Sequence, residues 1–252
     1  MPINRPSWYR IAPKDGLRGL PCPRCAGGKL RLAEKGLAVL EPRYSSAYRS
    51  SPDWEPDNIV ERWSATLVCD EKECGEIANM IGDTELVEAE IELPGGRVDF
   101  GLEDVLRIRA VYPAPPLFRI SDNVPRNVRL QLDLAFRMYW TDVSACVGRL
   151  RTAVEALLDH QKVPKEKLTK KGKMHRMDLK ERIDAFASGS MHQDQLQGLR
   201  NIGNLGTHGT EDVTDDDLFE AIDVMEFVLG GIYDTQTIKA KAKKLLDKKP
   251  ET

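Results

Sequence analysis

Tyr112-Pro113-Ala114-Pro115-Pro116-Leu117-Phe118 divides the chain into two halves of different pattern. Its three prolines deny a helix, because each lacks a backbone N–H and pushes the residue before it toward extended backbone. Ahead of this segment apolar residues tend to recur at every second position, and behind it at every third or fourth. The segment therefore predicts a boundary in an α+β protein. A β-rich module occupies 1–111, an all-α helical bundle 112–234, and a basic C-terminal helix or tail 235–252.

In the front half, Trp63, Ala65 and Leu67 alternate with Ser64, Thr66 and Val68, the period of a half-buried strand. Residues 29–32 and 85–93 read the same way. Residues 42–56 cluster Ser and Pro without any period, which predicts a long excursion or mobile loop. Two cysteine pairs stand on either side of it: Cys22-Pro-Arg-Cys25 and Cys69-Asp-Glu-Lys-Glu-Cys74, with 43 residues between them. A short turn lets two thiolates face one ion, so each pair supplies half of a tetrahedral Zn²⁺ site. Glycines at 27, 28 and 75 suit such knuckles. The alternatives are four unrelated thiols or a redox-active C-x-x-C, and the latter ordinarily opens a helix. Four sulfur ligands leave no open position, so the expected role of the Zn²⁺ is structural. The fifth cysteine, Cys146, falls on an apolar helical stripe and reads as core.

Behind the boundary, Pro125 suits a first helical turn. Val128, Leu132, Ala135 and Tyr139 then share a face. Val143, Cys146, Val147, Leu150, Val154, Leu157 and Leu158 form the clearest stripe in the chain. Leu179, Ile183 and Phe186 predict a third helix, and Leu196, Leu199 and Ile202 a fourth that breaks at Gly203. Thr214 caps a fifth running through Ile232.

The segment Leu199-Arg-Asn-Ile-Gly-Asn-Leu-Gly-Thr-His208-Gly lies between two of these helices. With residues 112–116, the helix 149–160 and Leu179-Lys-Glu-Arg-Ile183, it resembles the domain-of-unknown-function family 4145, which carries a Gly-Asn-x-x-x-His signature. That family resembles in turn the HEPN superfamily of helical bundles. The likeness covers about residues 110–235, and the front half is similar to the zinc ribbons that often precede such domains. It implies a setting in prokaryotic defence and restriction systems.

HEPN ribonucleases use Arg-Asn-x-x-x-His, where imidazole moves a proton and guanidinium grips phosphate. Asn204 and His208 fit that pattern, but Gly203 stands where it wants Arg. Arg200 lies one turn earlier, roughly 4.5 Å along the axis at 1.5 Å per residue. A metal-independent ribonuclease using His208, Arg200 and Asn204, within one chain or across a homodimer interface, is thus the rival to a binding or regulatory protein. A homodimerisation scaffold is the third reading. Arg151 and Glu155 make a further polar pair four residues apart, and the resemblance suggests that one of them reaches His208 or Asn204.

Lys+Arg number 37 against 40 Asp+Glu, a formal charge of -3, which excludes a uniformly basic nucleic-acid coat. Local runs are a different matter. Residues 162–182 hold nine Lys/Arg and three acids, 239–249 six lysines and one acid, and 211–226 eight acids and no base. Lys170, Lys171, Lys173 and Arg176 are the candidate nucleic-acid contacts. The acidic stretch could instead pair with a protein partner or a second copy. The first residues lack the apolar core of an export signal, and no apolar run suits a membrane span, so the expected location is the cytoplasm.

Overall fold

Trp63, Ala65, Leu67 and Cys69 are all buried, while between them Ser64 is exposed and Thr66 and Val68 are half-buried. The alternation in the sequence is thus a strand with one covered face. In the computed structural model, which describes residues 8, 10–14, 16–17, 19–25, 27–93, 97–208 and 213–246, this strand is central to a curled antiparallel sheet. The strands are β1 (Ile11–Pro13), β2 (Leu20–Pro21), β3 (Lys29–Leu40), β4 (Arg62–Cys69), β5 (Ile77–Leu93) and β6 (Arg97–Tyr112), in the order β1-β6-β5-β4-β3-β2. The chain divides into two compact units at Pro115/Pro116, and this sheet belongs to the first.

Gly82 of β5 sits opposite Trp63 at a register shift. A β-carbon there would stand 1.9 Å from the Arg107 carbonyl oxygen and 2.7 Å from the indole, so only glycine admits the ring beneath the strand. The indole N–H donates to the Asp83 carbonyl at 2.9 Å. Gly82 and Asp83 weaken the strand pattern, which is why β5 begins well before residue 85, where the alternation first shows. Its partner β6, which no sequence expectation covered, shows the same alternation, with Leu106, Ile108 and Ala110 separated by Arg107 and Arg109. In the sheet these charges have partners: Arg109 meets Asp83 at 2.8 Å and Arg107 meets Glu85 at 2.8 Å.

Of the expected long excursion or mobile loop over 42–56, the structure shows the excursion, between β3 and β4, and gives it secondary structure. It holds a helix, α1 (Arg43–Tyr48), and a 3₁₀ turn follows at Pro56–Asn58. The reason is one buried hydroxyl: Ser45 Oγ donates to Glu41 at 2.8 Å and accepts the Val60 N–H at 3.0 Å, closing the base of the excursion. Ser and Pro there serve as caps and turn residues.

The second unit carries α2 (Arg126–Met138), α3 (Val143–His160), α4 (Leu179–Ala187), α5 (Gln193–His208), α6 (Asp215–Leu229) and α7 (Thr235–Leu246). Pro125 is the cap rather than the first helical residue. Asp142, Asp178 and Thr214 cap α3, α4 and α6 by accepting backbone N–H groups, as short oxygen side chains do. α3 buries Cys146, Val147, Leu150, Ala153, Val154, Leu157 and Leu158 completely. Each of its larger side chains contributes roughly 1.5–3 kcal/mol by leaving water. Cys146 is core as expected, and burial pushes its thiol up to about 12.

Three expectations for this unit are corrected. It is not all-α, since the basic stretch after α3 folds into a hairpin of β7 (Glu166–Leu168) and β8 (Met174–Arg176). The fifth helix, α6, ends at Leu229, and a π-helical turn over Gly230–Asp234 links it to α7. Finally, α5 does not break at Gly203. A β-carbon on Gly203 would lie 2.4 Å from Arg151 Cβ, and one on Gly206 would lie 2.6 Å from the Ser144 carbonyl oxygen. These glycines let α5 lie directly on α3, and that packing offsets their poor helix propensity of about 1 kcal/mol each.

Gly203→Ala and Gly206→Ala should therefore destabilise the helical unit, overpacking by about 1–3 kcal/mol outweighing the gain in propensity. Gly206 should be the more sensitive, because it faces backbone that cannot rotate away. Denaturant midpoints followed by far-ultraviolet circular dichroism would test this, and midpoints at or above that of the parent would contradict the close approach.

Candidate functional site

The antiparallel register carries both cysteine pairs to one end of the sheet. Pro21 lies opposite Lys29 and Leu30 opposite Cys69, so the turn after β2 and the turn after β4 are neighbours. The Cys22 N–H donates to the Gly28 carbonyl at 3.0 Å and the Cys69 N–H to the Glu76 carbonyl at 2.9 Å, closing the two turns. Gly75 takes φ +57, a left-handed conformation that glycine adopts without strain.

The four Sγ atoms of Cys22, Cys25, Cys69 and Cys74 lie within 4.8 Å of one another, and the four thiols are free. Cys22 and Cys74 are 3.7 Å apart, Cys25 and Cys69 3.6 Å. A tetrahedron with metal–sulfur distances of about 2.3 Å has edges of about 3.8 Å, so the sulfurs fit one four-coordinate ion. The backbone points donors at them: the N–H groups of Arg24 and Cys25 approach Cys22 Sγ at 3.4 and 3.5 Å, and that of Gly28 approaches Cys25 Sγ at 3.3 Å. A β-carbon on Gly28 would fall 2.2 Å from Cys69 Sγ and 3.0 Å from Cys25 Sγ.

Electrostatics agrees with a cation. The Gly28 N–H lowers the Cys25 thiol to about 7, whereas burial pushes Cys69 up to about 12. Four adjacent thiols cannot all ionise alone, and a divalent ion would supply the compensating charge. Around the sulfurs, Asp70 joins the two turns. It accepts the Lys29 N–H at 2.7 Å and pairs with Arg31 at 3.2 Å, and these contacts hold its carboxyl below the usual range. Asp70 has no spacing signal in the sequence, because its partners lie about 40 residues away.

The helical candidates are less concentrated. Arg200 on α5 donates to Gln197 at 2.8 Å and to Asn201 at 2.7 Å, so its guanidinium is held along its own helix. Asn204 is half-buried one turn further on. The side chain of His208 lies outside the described residues, and with it any contact to Arg151, Glu155 or Asn204. Arg151 pairs with Glu155 at 2.8 Å, and its stem packs against Gly203.

Lys170, Lys171, Lys173 and Arg176 are all exposed on the β7–β8 hairpin, and none is paired with an acid among the described residues. Gly172 makes the turn with φ +71, and Thr169 Oγ1 donates to the Lys173 carbonyl at 2.9 Å. Glu181 of α4 anchors the hairpin from below. It holds Lys167 at 2.7 Å and His175 at 2.9 Å while receiving the Asp178 N–H at 3.1 Å. The Lys167 contact foremost, then His175 and the Asp178 N–H, bring this carboxyl down to about 2.

Residues 133–248 match the family model of a domain of unknown function, DUF4145, and residues 12–98 match that of a second, DUF8608. The first match starts inside α2 and takes in α7; the second spans all four clustered cysteines. No curated protein and no solved structure matches the chain. Among the described residues, no helix is long and apolar enough to cross a membrane.

Metal analysis of the purified chain should find one ion per chain, lost in Cys22→Ser combined with Cys69→Ser and weakened in Gly28→Ala. Stripping the ion should unfold the sheet while leaving the helical circular dichroism. Equal metal content in the double variant would refute the four-sulfur site. For the hairpin, the Glu181 ties are present above the ordinary glutamate range and are lost as pH falls toward about 2. Glu181→Gln should therefore raise amide exchange at 166–176 at neutral pH, and unchanged protection would deny the anchor.

Proposed function

We propose that the protein is a zinc-containing binding or regulatory protein whose helical unit, HEPN-like in kind, engages the phosphate backbone of nucleic acid through the β7–β8 hairpin. The observation that carries this reading is the set of four exposed cations, Lys170, Lys171, Lys173 and Arg176, without acidic partners among the described residues. Two neighbouring bases are neutralised: Lys165 pairs with Asp159 and Lys167 with Glu181. Unpaired cations on one protruding turn condense onto a polyanion and release its counterions, giving affinity without base specificity.

Zinc is the ion proposed for the cysteine cluster, because four thiolates at tetrahedral spacing are its characteristic shell and leave no position for substrate. Its role is to fix the sheet. Binding is favoured over cleavage because Arg200 is occupied by Gln197 and Asn201, and position 203 admits no side chain. The biological setting proposed, prokaryotic defence or restriction, rests on the family resemblance alone.

Fluorescence anisotropy with a labelled single-stranded oligonucleotide should show affinity falling steeply with salt. The triple variant Lys170→Gln, Lys171→Gln, Lys173→Gln should flatten the log–log salt slope by about 2, since each phosphate neutralised on a single strand adds about 0.7 to it. Salt-insensitive binding, or a triple variant with the parent's slope, would sink the hairpin reading.

A further inference from the structure

A cleft of about 310 Å³ opens in the helical unit where α3, the end of β8 and the start of α4 meet, lined by Arg151, Glu155, Asp159, Lys165, Arg176 and Arg182. It lies at the small end of the ligand-pocket range of about 300–1,000 Å³. Its character is almost wholly charged, and its donors outnumber its acceptors.

The acids in it are already engaged. Glu155 holds Arg151 at 2.8 Å, and Asp159 holds both Lys165 at 2.8 Å and Arg182 at 2.6 Å. Asp178, also on the rim, caps α4 by accepting the Glu181 N–H at 2.7 Å. The bases keep capacity. Arg182 is only 7% exposed, directs Nη2 to Asp159 and the Val163 carbonyl, and has no acceptor at Nε. Arg151 likewise has a buried Nε without a partner. Arg176 is exposed and forms no ion pair among the described residues. Burying a guanidinium with donors unmet is costly, and such a site is completed by a ligand that brings oxygen.

We infer that this cleft binds a phosphoryl group, with the buried Arg182 fixed by Asp159 and with Arg151 of α3 and Arg176 of β8 as further donors. Donors arriving from three elements suit a tetrahedral oxyanion, whose oxygens diverge, better than a planar carboxylate. The inference goes beyond the hairpin reading and does not depend on it, since a free phosphorylated small molecule would satisfy the same donors.

The test is titration of the full chain with pyrophosphate, followed by ¹H–¹⁵N nuclear magnetic resonance, with matched chloride as the ionic-strength control. Saturable shifts centred on residues 151, 176 and 182 are expected, with affinity falling about tenfold in Arg176→Gln and in Arg151→Gln. Arg182→Lys, which can keep its tie to Asp159, guards against simple unfolding and should also weaken binding. Shifts confined to 170–173 would overturn the cleft while leaving the hairpin reading intact. Absent shifts in the folded protein, or variants that bind like the parent, would overturn it outright. Competition assigns the source of the group: displacement of pyrophosphate by an oligonucleotide identifies a nucleic-acid phosphate, and independent binding identifies a small phosphorylated ligand.

Discussion

Leu30 lies opposite Cys69, and the first unit depends on that pairing. Side chains alternate along a strand, so a slip of one residue between β3 and β4 would send Cys69 to the far face together with Trp63, Ala65 and Leu67. The sulfur is on the same face as the core residues of its strand. Register, core and cysteine cluster are thus one constraint, and a metal that ties the two turns also pins the strands between them. The short strands β1 and β2 contribute little pairing of their own, so such an external tie matters more here than in a larger sheet.

In the helical unit the corresponding constraint is a small-residue contact. Gly203 and Gly206 are one turn apart on α5, and both face α3. The close approach settles a chemical question as well as a packing one. The arginine that a ribonuclease pattern would place at 203 has no room there, because Arg151 Cβ occupies the space. A guanidinium does stand beside that turn of α5, but it comes from α3 and is directed to Glu155 and the neighbouring cleft.

Legibility follows locality. The β4 alternation, the α3 stripe, the cap at Thr214 and the two cysteine pairs are readable because each signal lies within one turn or one strand. The cysteine cluster is the most legible site, since two short spacings nearly define the ligand set. Two features escape such a reading: α1, held by the Ser45 hydroxyl between Glu41 and Val60; and the continuity of α5 through Gly203. In each case the deciding partner is distant in sequence. Arg182 belongs with them, as its acid, Asp159, lies 23 residues back on another helix.

A net charge of -3 is also a poor guide to this molecule's field. Paired charges such as Lys167 with Glu181 act at a distance as dipoles, and salt screens even free charges within about 8–10 Å. What a polyanion meets near the helical unit is the set of cations left after pairing. Among the described residues these include Lys170, Lys171 and Lys173 at the hairpin tip and Arg176 at its base, where the hairpin borders the arginine cleft. If the hairpin holds a phosphate chain as proposed, that chain lies next to the cleft, since Arg176 belongs to both. The anchoring by Glu181 then matters, because it fixes the tip relative to the cleft and makes the two parts of one surface.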